Sequence, residues 1–307
     1  MIGKIRHRFP TLENMKAAPV KTKTVLITGC SSGIGLATAK LLLDRSWQVI
    51  PTARKSEDLD MLCNAGFEPV YLDVTDSSSI NAAADEVLQR LDGQLGALIN
   101  NAGFGLTTAM EDCSREMLRA VFEVNLFGLQ ELTNRFIPVF RKQGYGRIVN
   151  ISSVLGEISI PMTGPYCAAK SALEAATDSM RYELFDSGIG VSLIQPGPID
   201  TKFSKNLAHR TDQFKTNSNS VFSSFYKEAI ETRKNGTAGR TAEGFMKPPE
   251  AVAEKIFQCL EKEHPPRRAR ITAVAHFGAF ARHFLPTAVI DRIAISKLRK
   301  LSIDPAE

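Results

Sequence analysis

The chain has 307 residues, 43% of them hydrophobic and 23% charged, with 21 Gly and 15 Pro, so it carries enough apolar material for a sizeable core and is neither a disordered nor a collagen-like chain. Its net charge of +5 is uneven: residues 1–23 carry six Lys/Arg against Glu13, residues 262–300 carry nine against Glu263 and Asp291, and residues 24–261 sum to −5, which describes an acidic body with basic ends rather than a nucleic-acid binder. No apolar run approaches the roughly 18 residues of a membrane span, and five scattered cysteines form neither a disulfide framework nor a CxxC metal motif, so a reducing, cytoplasmic setting without a metal is expected.

Short β-branched or apolar runs at Thr24–Thr28, Gln48–Ala53, Pro69–Leu72, Ala97–Asn100, Arg147–Ile151 and Val191–Gln195 read as strands. Between them Leu36–Arg45, Ser77–Leu91, Glu116–Gln143 and Tyr166–Asp186 have helical character, the last stopping against Gly188. Continuous apolar strands separated by helices predict an α/β fold: a doubly wound, Rossmann-type parallel sheet with helices on both faces. Residues 202–247 are polar and hold Phe214, Phe222, Phe225 and Tyr226; a segment of this length is expected to be a substrate flap. Beyond it Glu250–Glu261 reads as a helix and Arg270–Ala275 as a last strand. The expected organisation is a basic N-terminal extension (1–21), a dinucleotide-binding and catalytic domain (22–275) and a basic amphipathic C-terminal tail (276–307).

Two motifs carry chemistry. Gly29, Ser31, Ser32, Gly33, Ile34 and Gly35 lie between the first strand and the first helix. There Gly29 permits a tight turn, Gly33 a close approach to a pyrophosphate, and Gly35 close packing of helix on strand, while the helix N-terminus offers N–H donors to phosphate. Tyr166 and Lys170 stand four residues apart on one helix, where a cation favours the phenolate and suits the tyrosine to general acid–base work; ordinary surface pairs share that spacing. Ser153 ends a strand thirteen residues upstream of Tyr166, a place also common for turn serines.

Taken in order, Thr28–Gly35, Asn100–Gly103, Ser153 with Tyr166-x-x-x-Lys170, and Pro196-Gly197 resemble the short-chain dehydrogenase/reductase family over residues 22–201, with the hydroxysteroid and retinol dehydrogenase branch nearest in tone. The resemblance implies a catalytic tetrad of Asn125, Ser153, Tyr166 and Lys170. In it Tyr166 exchanges the proton, Lys170 holds the nicotinamide ribose and lowers the Tyr166 pKa, and Ser153 polarises the substrate oxygen. Asp73 is then an adenine contact, and Asn101, Ala102 and Gly103 border the adenosine ribose. Pro196, Gly197, Ile199 and Thr201 grip the nicotinamide and the diphosphate. The resemblance further implies homodimers or homotetramers built on the helices around Asn125–Gln143 and Tyr166–Asp186.

The end of strand two chooses the cofactor. An acidic residue there accepts from the ribose 2′-OH of NAD; here Ala53 is followed by Arg54 and Lys55, with Ser32 nearby in the glycine loop. These suit a 2′-phosphate, so NADP(H) is expected in preference to NAD(H); Arg54 stacked on adenine is the other reading. Leu106, Leu155, Ile158, Met162, Pro198 and Phe203 are expected to line an apolar pocket, with Ser153, Leu155, Tyr166 and Phe203 touching substrate. The expected reaction interconverts an apolar secondary alcohol and its ketone, of steroid, retinoid or lipid type. A 3-oxoacyl reductase and a non-catalytic cofactor-sensing scaffold are the alternatives. In the tail Ile290, Ile293, Ala294, Leu298 and Leu301 share a helical face, which suits either peripheral contact with an anionic membrane or packing against protein.

Overall fold

The structure, a computed structural model, describes residues 17–203, 220–227 and 246–298. Seven parallel strands, β1 (Thr24–Ile27), β2 (Gln48–Ala53), β3 (Val70–Tyr71), β4 (Ala97–Asn100), β5 (Gly146–Ile151), β6 (Ile189–Gln195) and β7 (Arg268–Arg270), form one sheet in the order β3-β2-β1-β4-β5-β6-β7. Alternation along the central strands divides their side chains between two cores. Leu26, Leu98 and Ile148 face one side, under α3 (Ser77–Arg90), α5 (Gly128–Gln143) and α6 (Gly164–Glu183). Val25, Ile27, Ala97, Ile99 and Val149 face the other, under α1 (Gly33–Asp44), α2 (Ser56–Asn64) and α7 (Pro249–Glu261). A parallel sheet buried on both faces is the outcome that uninterrupted apolar strands require. The order reverses between β1 and β4, which opens a crevice at the C-terminal ends of these strands.

The helix expected over Glu116–Gln143 is three pieces: α4 (Arg115–Phe122), a π-helical turn at Glu123–Phe127, and α5. Asn125 causes the insertion's inward turn to hold, since its Nδ2 donates to Phe104 O (2.7 Å) and Val121 O (2.8 Å). The strand expected over Arg270–Ala275 is a correction: β7 ends at Arg270, Thr272 caps the next helix by accepting from Ala275 N, and α8 runs Ala273–Phe284. A final helix, α9, spans Thr287–Leu298. Helix α2 has no counterpart among the expected elements, although Leu59, Leu62 and Cys63 stand at helical spacing in it.

Of the expected N-terminal extension, Ala17 is buried and Ala18 N donates to Gly188 O at 2.9 Å, so the chain packs on the body before Thr22; residues 1–16 lie outside the described part. Most of the expected flap, including Phe214, also lies outside it. Residues 220–227 bring Phe222, Phe225 and Tyr226 against Ala109 and Met162. Tyr226 Oη donates to Asp112 (2.5 Å) and accepts from Ala109 N (2.9 Å), and Ser220 Oγ donates to the same carboxylate at 2.5 Å.

Candidate functional site

The sequence-predicted residues collect at the C-terminal ends of β1, β2, β4, β5 and β6. In the β1–α1 turn Gly29 and Gly33 have φ of +72° and +59°, values that favour glycine. A Cβ on Gly35 would lie 2.3 Å from Gly29 O and 2.6 Å from Asn101 Nδ2, so α1 starts flush against the turn. Asn101 Nδ2 donates to Thr28 O and Gly29 O, and Thr28 Oγ1 accepts from the amides of Asn101 and Ala102, all at 2.9 Å. The loops after β1 and β4 are thereby locked together.

Ser32 flanks α1 with no side-chain cap, and no acidic residue occupies the first turn. Together with Ser31 and Ile34 it leaves main-chain donors and the positive helix end for an anion. This cradle fits the diphosphate of a dinucleotide. Thr201 closes it from the β6 side, since a Cβ on Gly33 would stand 3.1 Å from Thr201 Cγ2. Pro196 and Gly197 follow β6; a Cβ on Gly197 would reach Thr272 Oγ1 at 2.0 Å, and Ile199 pairs with Lys247. At the outer end Arg54 Nη1 lies 3.4 Å from Asp73 Oδ2, so the residues expected at the 2′ position and at adenine meet in one exposed ion pair. Ala53 beside them is buried and Lys55 is exposed.

The proposed tetrad converges on the other side of the crevice. Lys170 is buried and its Nζ donates to Ile151 O at 2.8 Å, 5.7 Å from the centre of the Tyr166 ring. A Cβ on Gly103 would stand 2.8 Å from Asn125 Oδ1 and 3.4 Å from Lys170 Nζ, so this glycine lets the π turn and α6 approach one another. Asn125 Oδ1 is buried with no partner among the described residues. The Ser153 hydroxyl accepts from Leu155 N at 3.1 Å and stands near enough to the Tyr166 phenol to favour its ionised form. The electrostatics differ from expectation. Burial drives the Tyr166 pKa above its usual range against the opposing Ser153 bond, and Lys170 is not what sets it. Burial likewise pushes the Lys170 ammonium down to about 8, opposed by Glu174 one turn further along α6.

Around Tyr166 the surface is apolar. Phe203 lies with its ring 5.7 Å from the tyrosine ring, Leu155 is half-buried in the turn after Ser153, and Met162 meets Phe222 and Phe225. Leu106, expected here, packs instead into a closed cluster with Phe104, Met117, Val121 and Ala169.

Beneath the tetrad lies a network that sequence reasoning missed. Glu174 accepts from Ser152 Oγ and Gln195 Nε2, both at 2.8 Å, and pairs with Arg268. Arg268 also meets Asp178 at 2.7 Å; Glu157 takes Gln195 at 2.7 Å and Arg270 at 2.6 Å. These groups join the residues next to Ser153 and Pro196 to α6 and to β7. Partners about a hundred residues apart leave no local pattern to read.

The profile of the family described as short chain dehydrogenase matches residues 23–212. The uncharacterized oxidoreductase YbbO of Escherichia coli is 39% identical over 274 residues, covering 89% of this chain and 94% of that protein. The NADPH-dependent 3-dehydrocapnine reductase of Ornithobacterium rhinotracheale is 30% identical over 287 residues, 90% of this chain and 98% of that one. The crystal structure of a short-chain dehydrogenase from Streptomyces avermitilis superposes with a TM-score of 0.70 at 30% identity, over 91% of this chain and 96% of that one. With the glycine cradle, the sheet order and these matches in agreement, the chain belongs to the short-chain dehydrogenase/reductase family and is an oxidoreductase on an NAD(P)-binding fold.

Proposed function

We propose that the protein is an NADP(H)-dependent reductase of bulky apolar ketones, interconverting them with secondary alcohols. The observation that carries this reading is the meeting of Ser153, Tyr166 and buried Lys170 beside the Phe203 ring, with Phe222 and Phe225 packed on Met162 one turn before Tyr166. The cradle of Gly29–Gly35 would hold the diphosphate, Thr201 and Pro196–Gly197 the nicotinamide end, and Arg54 with Lys55 and Ser32 the 2′-phosphate. Bound NADPH supplies the hydride that goes to the carbonyl carbon. Ser153 orients the carbonyl oxygen by donating a hydrogen bond to it. Tyr166 gives the phenolic proton to that oxygen, completing the alcohol; burial keeps the phenol in the protonated form that this step uses. Lys170 stands behind Tyr166 and would bind the ribose, while Asn125 holds the turn that seats Gly103.

Support for a 2′-phosphate is the lack of an acid at Ala53 and the loosely paired, half-exposed Arg54. The name of the NADPH-dependent 3-dehydrocapnine reductase supports the cofactor. The test is a panel of steroid, retinoid and long-chain keto substrates with NADPH and with NADH, followed at the nicotinamide absorbance. Turnover of bulky apolar ketones with an NADPH preference supports the reading. Turnover confined to carrier-bound 3-oxoacyl chains would replace it with the acyl-reductase reading, and binding of cofactor without turnover would leave a scaffold. Self-association belongs to the same reading: a groove of about 460 Å³ between α5 and α6, with Phe127 exposed at its edge, is the proposed face of a homodimer or homotetramer, to be tested by light scattering of the eluting protein.

A further inference from the structure

Helix α8 is built inside out. Its small residues Ala275, Gly278 and Ala279 are buried against the body, and a Cβ on Gly278 would stand 2.8 Å from Val154 Cγ2 and 3.2 Å from Ile158 Cδ1. Its large residues point away: Phe277, Phe280 and Phe284 are 58%, 52% and 73% exposed. Their spacing of three and then four residues aligns them in one stripe, and the rings of Phe280 and Phe284 stack with centres 5.1 Å apart. After a break at Leu285–Pro286, α9 adds exposed Val289, Ile293 and Ile295, and none of its residues with a described side chain is buried. A helix of a globular domain ordinarily buries its aromatic face; a contiguous exposed stripe of this kind marks an interaction surface.

Charge selects the occupant. Residues 273–300 carry Arg282, Arg292, Lys297, Arg299 and Lys300 against Asp291 alone, a net +4, whereas residues 24–261 carry −5. Arg268 and Arg270, nearest in the chain to this stretch, are taken up by Glu174, Asp178 and Glu157 and belong to the body. A second copy meeting this patch about a two-fold axis would set Arg282 and Arg292 among their own counterparts. An anionic lipid surface offers the complementary charge and an apolar layer for the phenylalanines. We infer that the α8–α9 face, with Phe277, Phe280 and Phe284 at its centre, seats the protein on anionic membranes. No helix among the described residues is long and apolar enough to cross a bilayer, so the contact is peripheral. Because α8 leans on the Val154–Ile158 segment that follows Ser153, a seated enzyme has its substrate side at the lipid. That last point rests on the proposed function; the binding itself does not.

The test is co-sedimentation of the full chain with vesicles of phosphatidylcholine alone and with one quarter phosphatidylglycerol, at low and at 0.5 M salt. Expected is binding to the anionic vesicles that salt weakens without abolishing. The F277S/F280S/F284S variant should lose about tenfold or more in partition while keeping its circular dichroism and oligomeric state. Should that variant fold poorly, R282E/R292E keeps the stripe and should still shed the anionic preference, since each basic side chain near such a surface is worth roughly fivefold. Absence of wild-type binding to anionic vesicles overturns the inference. Equal binding by wild type and either folded variant also overturns it, as does a phenylalanine variant that changes oligomeric state with no wild-type vesicle binding, which would make the stripe a subunit contact. None of these readouts depends on turnover.

Discussion

The two sides of the crevice are built by different means. On the β1–β4 side, recognition comes from the main chain: positive-φ glycines, uncapped amides of α1, and a loop pinned by Thr28 and Asn101 within about a hundred residues of sequence. On the β5–β6 side, side chains do the work, and their supports arrive from far along the chain, from Asp112 holding Tyr226 to Arg268 and Arg270 under α6. A backbone cradle tolerates little change, because a Cβ at Gly29 or Gly35 meets main chain and one at Gly33 meets Thr201 at a positive φ. A side-chain wall is free to change one residue at a time. On the proposed function, the contrast puts the cofactor cradle in one half and the proton donor with the substrate wall in the other.

Four experiments break or sharpen that contrast. The largest effect is expected from Tyr166→Phe, which should lower turnover by about a hundredfold or more and leave cofactor affinity nearly unchanged, because the glycine cradle, Thr201 and Lys170 stay in place; single-turnover kinetics with fluorescence titration of cofactor measure both. Next, Ala53→Asp with Arg54→Ala should turn the proposed NADP(H) preference towards NAD(H). A lost charge-assisted contact is worth ~1.5–3 kcal/mol, or roughly ten- to hundredfold in affinity, read as the ratio of NADPH to NADH dissociation constants.

The third is a pH dependence. The folded Lys170 pKa, lowered to about 8 from 10.5, means that the unfolded chain holds more protons between those values, so stability contributed by this site rises with pH through that window. Lys170→Met removes the contribution. The wild type should therefore gain on the variant by up to about 1.4 kcal/mol per pH unit above 8, measured by urea unfolding of the cofactor-free proteins at pH 7.5 and 9.5. The smallest effect is that of Tyr226→Phe, which deletes the hydroxyl between Asp112 and Ala109 N. About 1 kcal/mol of anchoring is lost, so KM for bulky substrates should rise roughly fivefold with kcat little altered.

The half that is main-chain work was the legible half. Glycines at fixed offsets after a β-branched run state a backbone conformation directly, and the positive φ of Gly29 and Gly33 is what those offsets implied. Apolar runs separated by helical stretches gave the sheet because burial on both faces leaves no other pattern. Arg270–Ala275 misled for a local reason: Ile271, Ala273 and Val274 suit a strand by composition, but Thr272 accepts from the amide three residues on and starts a helix. Leu106 misled because an apolar residue after β4 suits a pocket wall or a core equally well, and only the arrival of Met117 and Val121 decides. The phenylalanine stripe of α8 was hidden by its own regularity, since the same spacing would serve a buried face. The raised Tyr166 pKa needed the depth of the site, which spacing along a helix does not encode.

The salt-bridge frame beneath α6 also orders events during synthesis. Ser153, Tyr166 and Lys170 leave the ribosome long before Arg268 and Arg270, on which Glu174, Asp178 and Glu157 close. A nascent chain with every residue of the proposed tetrad already made still carries Glu174 and Glu157 without the arginines of β7, while Asp178 has only Arg181. The ion-pair frame therefore closes only as β7 joins the sheet, and a chain interrupted before residue 268 has the whole proposed tetrad but not that frame.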